Sequence, residues 1–338
     1  MFVKDGVEYE RNVMHCEVST YIKKVTIKSV EPAINSDNLD KIEFEEIGWT
    51  TIYKKGMLKK YQEVVFIPAE SVLPLELSNN LGVTNYLSRG RVKVVRLRGN
   101  RSEGLIVEYH EVEPWLNNIL QWEDLPTIQM KGECEKFKDV PINFHKFYHM
   151  SNILNDPYVF KPGDSIYYSE KIHGINVRCG KLKNPETGEY TIYVGSHNTV
   201  LRQNTKNIYW KIVIEYLEDI LPEDIVFFGD IYGLGIQNLH YDEHEPKVRI
   251  FAASEKGEYI HIEMLKNICR KSNIPIVNFY KTKFESIEQI RKLADEPSEY
   301  TNSHFREGIV MVSDEYPEKM AKCIGFNYWS SKGRTERH

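Results

Sequence analysis

Within the seven residues Glu170-Lys171-Ile172-His173-Gly174-Ile175-Asn176 the chain sets a primary amine beside a carboxylate, an imidazole and a carboxamide. Gly174 leaves room for a ligand to approach the backbone, and a lysine on such a short loop is where a nucleophile would sit. An ordinary hairpin with an exposed lysine has the same local pattern, so the reading depends on what else the chain carries. Downstream, Phe227-Phe228-Gly229-Asp230-Ile231-Tyr232-Gly233 ends an apolar run on an acid between two glycines. Arg306-Glu307-Gly308-Ile309-Val310 opens a second apolar run in the same style. Lys319 and Lys322 then flank a short segment running into Ile324-Gly325-Phe326-Asn327-Tyr328. A lone strand-end acid is commonly a solvated cap; these groups together, in this order, are far more specific.

Strands must deliver these groups. Pro162-Gly163-Asp164 reads as a turn, Ser165-Ile166-Tyr167-Tyr168 as the strand that leads to Lys171, and Asn176-Val177-Arg178-Cys179 as the strand that leaves it. Residues 225–229, 247–252 and 309–312 are apolar enough to be buried strands. Between them, Tyr209, Ile212, Val213, Tyr216, Leu217 and Ile220 fall at helical spacing and stop near Pro222. Met264 and Ile268 with their apolar neighbours predict a second helix, ended by Asn273-Ile274-Pro275, and Ile287, Ile290 and Leu293 predict a third. This half of the chain is α+β.

Residues 16–110 read differently, as about six short strand candidates with no long helical pattern. Runs 17–30, 42–47, 49–54, 64–68, 91–98 and 104–109 have the spacing of a small barrel, of which the five-stranded OB-fold is the version most used to grip nucleic acid. Between Arg89 and Arg101 lie Arg91, Lys93, Arg96 and Arg98 with no acid among them. Val92 and Val94 alternate with Arg91 and Lys93, then Val95 and Leu97 with Arg96 and Arg98, a slip of one residue that predicts a bulged strand with one core face and one cationic face. Glu103 lies close by and counts against the cationic reading. Lys54, Lys55, Lys59 and Lys60 add cations, and Tyr53 and Tyr61 stacking surfaces. The boundaries follow as 1–115 for the barrel, 116–140 for a connector, 141–330 for the second domain and 331–338 for a tail.

A chain of 338 residues at about 100 to 200 per domain should form two domains. Its net charge of −5 excludes a uniformly basic coat but permits a local basic track. No apolar run approaches the roughly 18 residues of a membrane span, and residues 1–10 are too charged for a secretory signal, so a cytoplasmic protein is expected. Cys16, Cys134, Cys179, Cys269 and Cys323 are scattered without a Cys-x-x-Cys pair, which argues against a disulfide framework or a zinc site.

In these residues the chain resembles the covalent nucleotidyltransferases, the superfamily of ATP-dependent RNA and DNA ligases and mRNA capping enzymes. Lys171-Ile172-His173-Gly174 is similar to their first motif, with histidine where DNA ligases and capping enzymes carry aspartate; that variant, with Glu170 and Asn176, points to the RNA ligases. Phe228-Gly229-Asp230 with Tyr232-Gly233 resembles the third motif, Glu307-Gly308-Ile309-Val310 the fourth, and Lys322 with Ile324 and Tyr328 the fifth. Phe251 sits where the family has an adenine-stacking aromatic. The stretch 92–107 resembles the N-terminal OB domain of the nick-sealing RNA ligases typified by the Deinococcus and Naegleria enzymes. Three positions depart from the pattern. Asp230 replaces a glutamate that contacts the ATP ribose, shortening its reach by about 1.5 Å. Met320 stands where the fifth motif has its first lysine, with Lys319 as a stand-in. The arginine between the first and third motifs is matched best by His197, with Arg202 as the alternative.

The resemblance implies an N-terminal OB-fold β-barrel followed by an α+β nucleotidyltransferase domain of antiparallel sheets with flanking helices. It implies that Lys171 takes AMP from ATP as a lysyl-adenylate, passes it to an RNA 5′-phosphate, and that a 3′-hydroxyl then seals the strand. Glu170, Ile172, His173, Asn176, His197, Arg202, Asp230, Phe251, Glu307 and Lys322 would bind the nucleotide, and Glu307 would help hold a hydrated Mg²⁺ or Mn²⁺. Arg91, Lys93, Arg96, Arg98 and Arg101 would grip RNA, with a nicked duplex, a cut tRNA and other broken RNA all open as substrates, and a monomer is expected. The chain runs only sixteen residues past Lys322, which sets the expectation of no C-terminal OB domain and weighs against a DNA ligase or a GTP-using capping enzyme. Asp230 and Met320 keep open a non-catalytic RNA-binding protein on a decayed ligase scaffold.

Overall fold

The computed structural model of the chain describes residues 2–4, 7–9, 22–122, 140–148 and 150–330. Residues 123–139 of the expected connector, the expected tail 331–338, and Cys16 and Cys134 lie outside the described residues. Backbone proximity divides the chain into two units. Among the described residues the first takes those up to 122 together with 153–158 and 329–330, and the second takes 140–148, 150–152 and 159–328.

The first unit is built on five antiparallel strands: β1 (Lys23–Pro32), β2 (Leu39–Phe44), β3 (Thr50–Lys54), β4 (Glu63–Pro68) and, after the short pair β5 (Val95–Leu97) and β6 (Asn100–Ser102), β7 (Gly104–Val107). The sheet order is β7-β4-β1-β2-β3. Strand β1 serves two neighbours. Its first half pairs with β4 and its second half with β2, across a register shift between Ile27 and Ser29, which bends the sheet on itself. The two edges then approach: Glu103 N–H donates to Thr50 O at 3.0 Å, and Thr51 Oγ1 donates to Gly104 O at 2.8 Å, leaving a nearly closed barrel. Alternation in β2 sends Ile42 and Phe44 inward, where they join Val25, Ile27 and Phe66.

The basic run of this unit differs from the expected single bulged strand. Residues 92–94 are irregular, with Val92 and Val94 buried, and β5 holds only three residues, all exposed. Val95 and Leu97, expected on a core face, are 37% and 41% exposed because β5 pairs with β6 alone and overhangs the barrel. The hairpin reverses at Arg98 and Gly99, whose φ values of 49° and 91° form the left-handed pair that a two-residue turn requires. Glu103 is turned inward, 1% exposed, and accepts from Thr50 N–H at 2.9 Å.

The second unit stacks two antiparallel sheets. In chain order its strands are β8 (Ser165–Glu170), β9 (Ile175–Lys183), β10 (Tyr190–Ser196), β11 (Val200–Leu201), β12 (Ile225–Gly233), β13 (Pro246–Glu255), β14 (Glu258–Tyr259), β15 (Tyr280–Lys283), β16 (Gly308–Ser313) and β17 (Met320–Ile324). One sheet runs β15-β8-β16-β17 and the other β11-β10-β9-β12-β13-β14. Helices α1 (Ile208–Tyr216), α2 (Ile262–Ser272) and α3 (Ile287–Ala294) flank them, and α4 (Phe326–Ser330) follows β17. Asn207 and Ser286 cap α1 and α3 by accepting from Tyr209 and Gln289 N–H, and Asn273, at φ 56°, ends α2 in the left-handed conformation. Tyr167, Val312 and Met320 from the smaller sheet share one core with Val177, Phe228 and Ile250 from the larger. Met264, expected on the apolar face of α2, is 49% exposed, since Ile262, Leu265 and Cys269 fill that face. Asp230, expected at a strand end, sits inside the nine-residue β12.

Gly308 opens the central strand of the smaller sheet, where an added Cβ would lie 2.1 Å from the Cys323 carbonyl oxygen. No side-chain rotation relieves a backbone clash. Gly308→Ala is therefore expected to destabilise the chain by at least about 2 kcal/mol in urea unfolding, as overpacking of a rigid site does; an unchanged midpoint would contradict this packing.

Candidate active site

Lys171 follows directly on β8, and its N–H donates to Gly308 O at 2.9 Å, which carries the strand pairing one residue past Glu170. Its Nζ lies 2.6 Å from Glu307 Oε1. The other oxygen, Glu307 Oε2, is 2.9 Å from His173 Nδ1, which also lies 3.1 Å from the Tyr328 hydroxyl. One carboxylate, 8% exposed, thus receives both the amine and the imidazole. Burial alone would raise the Glu307 carboxyl, but the Lys171 charge and the His173 contact more than reverse that and hold it at about 2.

Across the cleft, Asp230 pairs with Asn176 in the ladder between β12 and β9. Desolvation pushes the Asp230 carboxyl up to about 6; Lys171 opposes this and Glu307 adds to it, so the charges of all three groups act on one another. Asn176 Nδ2 donates to Gly229 O at 3.4 Å, while Asn176 Oδ1 is buried with no hydrogen-bond partner among the described residues. Gly174 is required here because an added Cβ would meet the Ile231 carbonyl oxygen at 2.4 Å. Lys322 pairs with Val310 on β16, which in turn pairs with Ser169 on β8, so it stands on the same face as Lys171, one residue pair along the strands.

The remaining expected residues divide. Ile172 is a core residue, 2% exposed. Glu170 is equally buried and accepts from Ser298 Oγ at 2.7 Å and Glu299 N–H at 2.8 Å, so it anchors the loop 297–305. Phe251 is partly buried and packs edge-on against Phe147 with centroids 5.0 Å apart. His197 directly follows Ser196, the partner of Val177, so it lies two strands from Asp230; Arg202 follows the outermost strand β11 and is exposed, three strands from Asp230. Lys319 turns away: its Nζ is 3.2 Å from Asp164 Oδ2, at the end of β8 opposite Lys171. Met320, in the position of the missing lysine, is buried in the core. In the first unit, Lys93, Arg96 and Arg98 are exposed and Arg101 is half-buried. Arg91 is directed inward, 3.0 Å from Glu70 and 4.5 Å over the Trp122 ring, and does not join the exposed cations.

Sequence reasoning missed Tyr241, whose hydroxyl accepts from His173 N–H at 2.7 Å, and Gln237, whose Nε2 donates to Gly174 O at 2.8 Å. Both lie in the loop between β12 and β13, which has no periodicity to mark it. It also missed Arg306, 7% exposed, whose guanidinium donates to Pro297 O and so fixes the entry to the loop 297–305.

Comparison with known proteins follows the same residues. Residues 164–324 match the RNA ligase family model. No curated protein matches the chain. Among solved structures, the Naegleria gruberi RNA ligase with PPi is 20% identical with a TM-score of 0.75, over 92% of this chain and 98% of that one. Two point mutants of the same ligase, one with ATP and Mn and one with AMP and Mn, are each 19% identical with TM-scores of 0.74, over 92% and 91% of this chain and 98% of theirs. At these identities the likeness is one of fold, and the residues that match the RNA ligase family model all lie in the second unit.

Burial raises the Glu170 carboxyl to about 7, against the pull of Glu299 N–H, Ser298 and Arg306. A folded-state value above the unfolded one means that folding is favoured while the group is protonated. That contribution is fully present below about 4.5 and is lost as pH rises through about 7. Glu170→Gln, which cannot ionise, is expected to gain several degrees in Tm relative to the parent between about pH 5 and pH 8. A gap between the two proteins that stays constant with pH would refute it.

Proposed function

From the premise of an RNA ligase domain over residues 164–324, we propose that the chain is an ATP-dependent RNA ligase that joins 3′-hydroxyl and 5′-phosphate ends through lysyl-AMP on Lys171 and an RNA-adenylate. The observation that carries this reading is the shared carboxylate: Glu307 holds the Lys171 amine at 2.6 Å and His173 at 2.9 Å, opposite Asp230 and Asn176.

In the first step Lys171 Nζ attacks the α-phosphorus of ATP; an N–P bond forms, the bond to pyrophosphate breaks, and the amine loses its proton. In the second, an oxygen of the RNA 5′-phosphate displaces Lys171, which takes up a proton again while AMP becomes joined to the RNA. In the third, the 3′-hydroxyl attacks that 5′-phosphate and AMP leaves. Asp230 is assigned to the ribose hydroxyls with Asn176 Oδ1 as a further acceptor, Phe251 to the adenine face, Lys322 to the phosphates, and His197, nearer than Arg202, to the position of the missing arginine.

The cleft suits a divalent ion. Glu307 and Asp230 are close enough for Glu307 to raise the Asp230 carboxyl, and Mg²⁺ or Mn²⁺ needs only one or two protein carboxylates while it keeps its waters. Among the described residues no group of three or more His, Cys, Asp or Glu side chains is placed to hold a metal ion. When bound, such an ion neutralises phosphate charge and favours the unprotonated amine.

The first unit is read as an OB-fold that holds RNA through Lys93, Arg96, Arg98 and Arg101, the chain acting as a monomer on a nicked duplex. No helix among the described residues is long and apolar enough to cross a membrane.

Incubation with ATP labelled at the α-phosphate and Mg²⁺ or Mn²⁺ is expected to label the protein on a denaturing gel, with no label on Lys171→Ala. No label on the parent under either metal would overturn the ligase reading and leave RNA binding without catalysis. For the first unit, Arg96→Ala and Arg98→Ala are each expected to reduce the slope of log affinity for RNA against log salt by about 1. Arg91→Ala should leave that slope unchanged and lower the Tm, because it vacates an inward ion pair.

A further inference from the structure

The residues on both sides of the nucleophile are tied to the same pair of loops. On the N-terminal side Glu170 accepts from Ser298 Oγ and Glu299 N–H, both in the loop 297–305. On the C-terminal side His173 N–H donates to the Tyr241 hydroxyl at 2.7 Å and Gly174 O accepts from Gln237 Nε2 at 2.8 Å, both in the loop 234–245. The two loops are also joined to each other. The Asp242 carboxylate accepts from Thr301 Oγ1 and Ser303 Oγ, and the Tyr241 ring stands edge-on to His304 with centroids 4.7 Å apart. The circuit closes around Lys171.

The conformation of the second loop is itself strained. Tyr241 and Asp242 are consecutive non-glycine residues at φ 53° and 57°, a left-handed pair that persists only where the surroundings over-determine it. Here the surroundings are the two hydroxyls on Asp242 and the rings of Tyr232 and His304 on Tyr241. Tyr241 is 3% exposed, and burial holds its phenol well above the ordinary value, with the field of Glu170, Glu307 and Asp230 adding to this. It therefore stays neutral and acts as a fixed hydrogen-bond acceptor, not as an acid or base.

We propose that Tyr241, locked by Asp242 onto the hydroxyls of Thr301 and Ser303, is a positioning residue that braces the nucleophile loop, so that only the Lys171 side chain moves between Glu307 and the nucleotide. The brace rests on the assignment of Lys171 as the adenylated residue. Its physical effect is on orientation: with the backbone on both sides of Lys171 fixed, the amine starts close to its attacking position, and a loosened loop loses rate without losing nucleotide contacts.

The test is the rate of covalent labelling by ATP in single-turnover experiments across ATP concentrations. Tyr241→Phe keeps the ring and removes the acceptor of a buried N–H. Its maximal labelling rate should fall about tenfold or more, with the half-saturating ATP concentration shifted by less than about threefold and the shape of the pH profile unchanged. Ser303→Ala, at an exposed position, removes one of the two hydroxyls on Asp242 and should give a smaller loss in the same direction. Tyr190→Phe removes a phenol hydrogen bond to Asp224 at the far end of β9 and β10, and should label at the parent rate. If the parent labels and Tyr241→Phe labels equally fast, the brace is wrong although the ligase reading stands. If Tyr241→Phe does not fold, Ser303→Ala decides: a parental rate overturns the proposal and a reduced maximal rate supports it. A parent that takes no label removes the premise, which is the separate failure of the ligase reading.

Discussion

The carboxylate of Glu307 is the constraint on which the rest of the second unit depends. Its two oxygens are engaged by different residues of one short loop, Lys171 Nζ and His173 Nδ1, and both contacts lie in a cleft where little water screens them. Such an arrangement is stable only if the loop and the start of β16 are held in fixed register, because a buried carboxylate that lost one of these partners would be left uncompensated. The register comes from the main chain: β8 pairs with β16 along five residues, and the Lys171 N–H extends the ladder to Gly308 O. Gly308 is what lets β16 lie against β17 at that point.

The same charges define the opposite wall. Asp230 would be an ordinary solvated acid at a strand end, but within β12 burial raises it to about 6, with Glu307 adding to the rise and Lys171 restraining it. Glu307 at about 2 and Asp230 at about 6 are one cluster divided by environment: the acid in direct contact with the cations stays charged, while burial, with a smaller push from Glu307, raises its neighbour. A cationic metal and a polyphosphate would rearrange all of these interactions together, which is the chemical sense of placing the nucleophile among them.

Legibility in the sequence varied with how local each feature was. Asp230 and Glu307 each adjoin a glycine in an apolar run, Lys171 stands three residues before Gly174, and the three groups act on one another in one cleft. Helices α1 to α3 were announced by spacing, and the end of α2 also by Asn273, while the caps Asn207 and Ser286 came only with the structure. The cationic run misled in part. Alternation predicted a core face for Val95 and Leu97, but β5 has a partner on one side only and overhangs the barrel, and Arg91 is drawn in by Glu70 and Trp122, residues 21 and 31 positions away. Glu170 was expected at the nucleotide and is found holding Ser298 and Glu299.

By itself the sequence determined the chemistry available to this protein: an amine nucleophile, two glycine-flanked acids, a second lysine and a basic run, each set by residues adjacent in the chain. Only the tertiary structure decided which of these groups act together. It joined Glu307 to Lys171 and His173, sent Lys319 to Asp164, buried Met320, and brought Tyr241 against the His173 backbone. Those choices depend on strand register and on loop anchors tens of residues away or more, and a one-residue slip in register would turn every side chain of a strand to the opposite face. Local pattern carries no information about that register, which is settled only when the sheets pack.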